Sequence, residues 1–186
     1  MNFKSRVVVI TGAASGIGRA ITLQMAQEGA KLVIADVNTA DLEKVAAEAE
    51  SAGASQVLQQ QLDVTDEKQW ENFADTVKDE IGMADVVFNN AGIARTGTFE
   101  EISPAEFDAV MAVNYWGMVY GTRAFLPQIK LRQGSFVNVS SLFGLIGVYG
   151  QAAYCSSKFA IRGFNESIRQ EFAEFGVHVA SVHPGG

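Results

Sequence analysis

In the stretch YCSSK at positions 154–158, a phenol and an ammonium stand four residues apart with only small residues between them. On a helix that spacing puts Tyr154 and Lys158 on one face, a turn apart, where both meet the same ligand. A phenol gives up or takes a proton, but with an ordinary pKa of about 10 it is a slow base at neutral pH. A cation one turn away favours the phenolate, and Lys158 is placed to supply it. This chemistry suits a carbonyl reduction or its reverse, in which a hydride meets the carbon while a proton meets the oxygen. Alone, such a pair is ordinary surface decoration, so its meaning depends on a ligand bound elsewhere in the chain.

The stretch TGAASGIG at 11–18 supplies that ligand. It follows a β-branched run and opens a helical one. Gly12 lets the chain turn sharply, Gly16 lets backbone approach a ligand, and Gly18 permits close helix packing, which leaves a helix N-terminus open to a pyrophosphate. The spacing is GxxxGxG rather than GxGxxG. Arg19 and Ala20 stand where a phosphate-binding P-loop ends in Lys and Ser or Thr, which disfavours ATP or GTP hydrolysis. Asp36, 18 residues beyond Gly18, ends the second strand pattern. A carboxylate there accepts both hydroxyls of an adenosine ribose and repels a 2'-phosphate, and no basic residue at 37 offsets it, so NAD is expected rather than NADP.

These groups need elements to hold them. Strands are predicted at 7–11, 32–36, 57–62, 85–89, 135–140 and 177–182, the most apolar four of them buried on both faces as in a parallel sheet. Between them the period becomes helical: Trp70, Phe73, Val77 and Ile81 fall on one stripe, with Thr65 as the predicted cap ahead of Asp66 and Glu67. SPAE at 103–106 reads as a capping box with Pro104 in the first turn. The following stretch to 131 is long enough to bend or break, with Gly117, Gly121 and Pro127 as candidate points. Alternating strands and helices imply a three-layer α/β sandwich around a parallel sheet.

At 186 residues one domain is expected across the whole chain, 1–186. The apolar runs are short and the start runs directly into a strand, so no membrane segment or signal peptide is expected and a cytoplasmic location is inferred. A net charge of −7 disfavours nucleic acid and anionic membranes as partners. One Cys and two His fit no metal or disulfide spacing, so no metal is expected; Cys155 reads as a packed helix residue, His178 as structural and His183 as a loop contact.

Taken together, the TGxxxGIG loop, NNAG at 89–92, Asn114, Ser141, the YxxxK pair and PG at 184–185 resemble the short-chain dehydrogenase/reductase family along nearly the whole chain. The resemblance implies a doubly wound Rossmann fold and an alcohol or carbonyl oxidoreductase. It implies that Asn114, Ser141, Tyr154 and Lys158 are catalytic. Ser141 would polarise the substrate oxygen, and Asn114 would hold a water that relays protons to Lys158. It further implies that Gly12, Ser15, Gly16, Ile17, Gly18, Asp36, Val37, Asp63, Val64, Asn90, Ala91, Gly92, Tyr154, Lys158, Pro184 and Gly185 bind the cofactor, with Asp63 at the adenine and Lys158 on the nicotinamide ribose. Members of the family continue past PG with a threonine, a mobile lid and a further strand and helix. The chain stops at HPGG, so a form lacking that strand and lid is expected.

The apolar run LFGLIGVYG at 142–150 is a candidate pocket wall for a hydrophobic alcohol or ketone. Phe143, Val148 and Tyr149, with Leu142 and Leu145, would line it beside Ser141 and Tyr154. GIARTGT at 92–98 is a second candidate wall, with Arg95 facing solvent. The helices at 104–131 and 152–174 carry more large apolar residues than one face hides, and in the resembling family they pair across subunits, so a homo-oligomer is expected. The other function class compatible with the sequence is a noncatalytic dinucleotide-binding protein of the same fold.

Overall fold

The computed structural model describes residues 3–185. Its strands are β1 (Val7–Thr11), β2 (Lys31–Asp36), β3 (Gln56–Gln61), β4 (Val86–Asn89), β5 (Ser135–Val139) and β6 (His178–Val182). They form one six-stranded sheet in the order β3-β2-β1-β4-β5-β6. Every pairing is parallel. The helices are α1 (Gly16–Gln27), α2 (Thr39–Ala52), α3 (Glu67–Glu80), α4 (Pro104–Met111), α5 (Gly117–Arg132) and α6 (Ala152–Ala173). The expected doubly wound sandwich is therefore present. Among the described residues no helix is long and apolar enough to cross a membrane.

The two faces of the sheet are packed differently. Val8, Ile10, Leu32, Ile34 and Val86 meet small and branched residues of α1 and α2, including Ala26, Leu42, Val45 and Ala49. The opposite face meets α3, α5 and α6, where Trp70, Phe73 and Phe125 stack edge-on or tilted at 5.7–6.3 Å between centroids. Burying rings of this size accounts for much of the apolar driving force on that side. α1 and α2 stop short of β6, so on their face His178 and Ala180 are exposed and Val182 is 42% exposed. His178 is thus a solvent-facing edge-strand residue, contrary to the structural role expected from its apolar neighbours.

Two helices differ from what their local signals predict. α3 is capped by Asp66, whose carboxylate accepts the Lys68 and Gln69 N–H groups, and not by Thr65. Thr65 instead donates its hydroxyl (2.7 Å) and its N–H (2.9 Å) to Asp63, which competes successfully for it. The Ser103 capping box of α4 forms as expected. α4 and α5 are joined without a break by a π-helical segment, Ala112–Trp116, and α5 runs on through Pro127. The irregularity therefore lies before the glycines. Gly117 and Gly121 serve close packing instead, since a Cβ on them would lie 2.9 Å from Val64 and 2.5 Å from Asn89 Oδ1 respectively.

The strand order places β1 and β4 side by side while their following connections run to opposite sides of the sheet. A crevice opens at their C-terminal ends, the position where doubly wound sheets bind ligands.

Candidate active site

The crevice is a cleft of about 740 Å³, lined by the glycine loop, the ends of β2, β4 and β5, and the first turns of α6. Gly12 and Gly16 have φ of +65° and +51°, values that favour glycine. A Cβ on Gly12 would lie 2.8 Å from the Ala91 Cα, whereas at Gly16 it would meet nothing within 4 Å, so the loop is closed against β4 and open toward the cleft. Gly18 does not line the cleft; a Cβ there would clash with the Gly12 carbonyl at 2.0 Å, so its part is to seat α1 on the loop.

Asp36 is tied into this loop. Its Oδ2 accepts the Ala14 N–H (3.0 Å) and its Oδ1 the Asn38 N–H (3.0 Å), which fixes the carboxylate at the cleft edge. Beside it Val37 is 60% exposed, and Arg19, the basic residue of the glycine loop helix, is engaged by Glu48 at 2.8 Å and not by Asp36. Asp63 and Val64 line the next stretch of wall, with Ser15, Ile17, Asn90, Ala91 and Gly92. Asn90 donates from Nδ2 to the carbonyls of Thr11 (2.9 Å) and Gly12 (3.2 Å). Thr11, which the sequence did not single out, accepts the N–H groups of Asn90 and Ala91 on its hydroxyl. It thereby locks the end of β4 to the glycine loop.

Ser141, Tyr154 and Lys158 gather at the far end of the cleft. Tyr154 is half-buried and its ring stands edge-on to Phe143 at 6.2 Å. The Lys158 ammonium lies 5.5 Å from the Tyr154 ring centroid and donates to the Val139 carbonyl at 2.9 Å. Only 3% of Lys158 is exposed, and that burial pushes its ammonium down to about 8. The Ser141 hydroxyl oxygen accepts the Phe143 N–H at 3.1 Å, which leaves its own hydrogen free for another acceptor. Ser140 is occupied otherwise, donating to the Lys158 carbonyl at 3.0 Å and so pinning α6 to the end of β5.

Asn114 is buried in the π-helical segment behind the cleft wall rather than on it. Its Oδ1 accepts the Ile93 N–H (2.8 Å), and its Nδ2 donates to the Ile93 carbonyl (2.9 Å) and to the Ser157 hydroxyl (2.9 Å). Ser157 in turn donates to the Tyr154 carbonyl at 2.7 Å, so Asn114 and the Tyr154 turn are joined through it. Nothing in the sequence marks Ser157 beyond its small size.

The expected substrate wall is only partly assembled. Leu142 and Phe143 line the cleft, but Val148 does not, and Tyr149 is 88% exposed. Leu145 is also turned outward. The short 3₁₀ turn Leu142–Gly144 reverses the chain, so the following residues pass over the rim; periodicity does not reveal such a reversal. Ile93, Ala94, Val113 and Gln151 stand on the wall instead. Gln151 donates to Thr96 at 2.9 Å and the Gly97 N–H to the Gly150 carbonyl at 3.0 Å, so the two candidate loops are tied together. Pro184 and Gly185 close the remaining side.

A glycine loop, a fixed carboxylate and a phenol beside a buried ammonium thus share one cleft, in the order the resemblance implies. The short chain dehydrogenase family model matches residues 6–186. The chain belongs to that family. This short-chain dehydrogenase is 46% identical over 188 residues to SadH of Mycobacterium tuberculosis, named a putative oxidoreductase, covering 100% of the present chain and 68% of SadH. A Burkholderia phymatum short chain dehydrogenase/reductase solved in complex with NAD superimposes with a TM-score of 0.95 at 31% identity, over 100% of this chain and 67% of that one. An alcohol dehydrogenase of Thermococcus sibiricus complexed with 5-hydroxy-NADP gives 0.94 at 31% identity, over 98% and 77%. Relatives with both nucleotides therefore share the fold of this short-chain dehydrogenase, which is an oxidoreductase by family.

Proposed function

We propose that this short-chain dehydrogenase interconverts a hydrophobic secondary alcohol and the corresponding ketone, using NAD, with Tyr154 as the acid and base. The observation that carries this reading is the meeting of Tyr154 and Lys158 with the glycine loop in one cleft. The open face at Gly16 and the carboxylate of Asp36 fit a dinucleotide, with Asp36 on the adenosine ribose and Asp63 beside the adenine. When bound, the nicotinamide supplies or accepts the hydride.

The chain's own residues manage the proton. Tyr154 donates to the ketone oxygen in reduction and withdraws the alcohol proton in oxidation. Lys158 stabilises the phenolate and holds a ribose hydroxyl, and its placement in an apolar wall keeps its charge poorly screened and therefore effective. Ser141 donates its free hydroxyl hydrogen to the substrate oxygen as negative charge develops there. Asn114 fixes the loop at Ile93 and its amide hydrogens are engaged there and at Ser157, so we assign to it a held water as the proton relay toward Lys158. The apolar wall of Leu142, Phe143, Ile93 and Val113 supports a hydrophobic substrate.

The cofactor choice rests on Asp36, whose carboxylate is held by two backbone N–H groups and would repel a 2'-phosphate. Turnover of cyclohexanol, 1-phenylethanol and 2-octanol with NAD and with NADP tests the whole reading. NAD-linked oxidation supports it; tight NAD binding with no turnover of any secondary alcohol or ketone favours the noncatalytic alternative. Self-association is proposed as well, on the aromatic surface where Trp116 is 47% and Phe159 42% exposed beside the stacked Tyr120. Sedimentation at micromolar concentration reads it directly, a monomer being the adverse result.

A further inference from the structure

We infer that His183 is a positioning residue for Ser141, acting as a fixed hydrogen-bond donor that holds the serine against the cofactor wall. The inference rests on the proposed role of Ser141. His183 lies just past β6, immediately before Pro184 and Gly185 on the cleft wall. Its Nδ1 is 3.0 Å from the Ser141 carbonyl oxygen and its Nε2 is 3.0 Å from the Ser181 hydroxyl.

A carbonyl only accepts, so Nδ1 must carry a proton. In the neutral ring Nε2 then accepts from Ser181, whose hydroxyl has one hydrogen to give. The two contacts therefore select a single tautomer. The Ser141 carbonyl also accepts the Gly144 N–H at 2.9 Å, so the peptide plane after Ser141 is held by two donors from different segments. Because that plane and the Phe143 N–H bond together orient the side chain, the direction of the Ser141 hydroxyl depends on His183.

The ring also completes a zipper. The Ser140 N–H donates to the Val182 carbonyl (2.8 Å) and the Leu142 N–H to the Pro184 carbonyl (3.0 Å), on either side of the His183 contact. Proline has no N–H, so at 184 the ladder keeps the Pro184 carbonyl but loses one backbone donor, and the His183 ring adds a donor from the same segment. Placing Ser141 and the Pro184–Gly185 wall in mutual register matters because reacting groups displaced by about 1 Å lose on the order of 100-fold in rate.

Two variants separate positioning from bulk. His183→Asn keeps a donor near the Nδ1 position, and His183→Leu removes it at similar volume. The expected result is a kcat about tenfold lower for His183→Leu in NADH-dependent reduction of acetophenone, with NADH affinity within threefold of wild type and most of kcat retained by His183→Asn. Equal kcat for the Leu variant and wild type overturns the inference, as does equal loss in both variants. Ring ¹⁵N shifts of the neutral imidazole in the wild-type protein must show protonated Nδ1 and unprotonated Nε2, and the opposite tautomer also overturns it. That spectrum needs no substrate. If wild type fails to turn over any ketone, the function reading fails, while the tautomer and faster Leu142 amide exchange in His183→Leu still decide the role of His183.

Discussion

The two ends of the sheet handle charge in opposite ways. At the N-terminal end, Asp85 is buried at the start of β4 and receives Arg6 Nη1 (2.8 Å), Arg132 Nε (3.0 Å) and Nη2 (2.8 Å), and the Val7 N–H (2.9 Å). Burial pushes its carboxyl up, but these donors outweigh it and hold it below the ordinary range. At the C-terminal end, Lys158 is buried with a neutral carbonyl as its partner, and no carboxylate among the described residues pairs with it. The first end spends its charge on cohesion. The second keeps a charge uncompensated at the wall of the cleft, at a cost to the fold.

The largest expected effect falls on the ligand end alone. Tyr154→Phe keeps the ring against Phe143 and removes the oxygen, so kcat should fall by about a thousandfold or more while NADH affinity and melting temperature stay near wild type. Steady-state kinetics and a thermal melt, run together, check it. Retained turnover ends the acid and base assignment.

Asp85→Ala should act on the opposite end, lowering unfolding free energy by about 2–4 kcal/mol without changing NADH affinity. Since the native carboxyl is depressed, its contribution is present above the unfolded pKa of about 4 and disappears as pH falls through the native value. Urea titrations from pH 7 down to pH 3 should therefore show the wild type and Asp85→Ala converging in acid.

Lys158→Met sharpens the contrast because its sign is reversed. The depressed ammonium disfavours the folded state at pH 7, so the Met variant should be more stable than wild type by about 2 kcal/mol in the absence of cofactor, although inactive. The unfolded chain binds more protons between pH 8 and about 10.5, hence the wild type should gain stability across that window and the advantage of Met should shrink. An unstable Met variant would mean that the Val139 hydrogen bond outweighs desolvation. The smallest effect is at Asp36, where Ala should reduce the preference for NAD over NADP by about tenfold, roughly 1.4 kcal/mol, read by calorimetry at one salt concentration.

Much of this was legible before any coordinates. Strand positions followed from β-branched runs, and the observed ends differ by a residue at β2, β3, β4, β5 and β6. Tyr154 and Lys158 were legible because both lie on one helix, where sequence spacing is spatial spacing. Thr11 and Ser157 were not, and His183 was legible only as a loop contact, since their partners Asn90, Asn114 and Ser141 lie on other elements and no local period links them. The cap of α3 was misplaced for a similar reason, Asp63 having captured Thr65 from outside the helix. Tyr149 was misassigned because composition marks a segment as apolar without saying which way the chain turns within it.

The π-helical segment at Ala112–Trp116 has an evolutionary consequence. A π turn holds one residue more than an α turn, and each residue of an α-helix rotates the chain by about 100°. Deleting Ala112 would let 104–132 wind as one regular spiral, carrying Asn114 away from Ile93 and Val113 away from its place against the core. A single-codon deletion would thus undo the Asn114 contacts with Ile93, and a single-codon insertion would restore them.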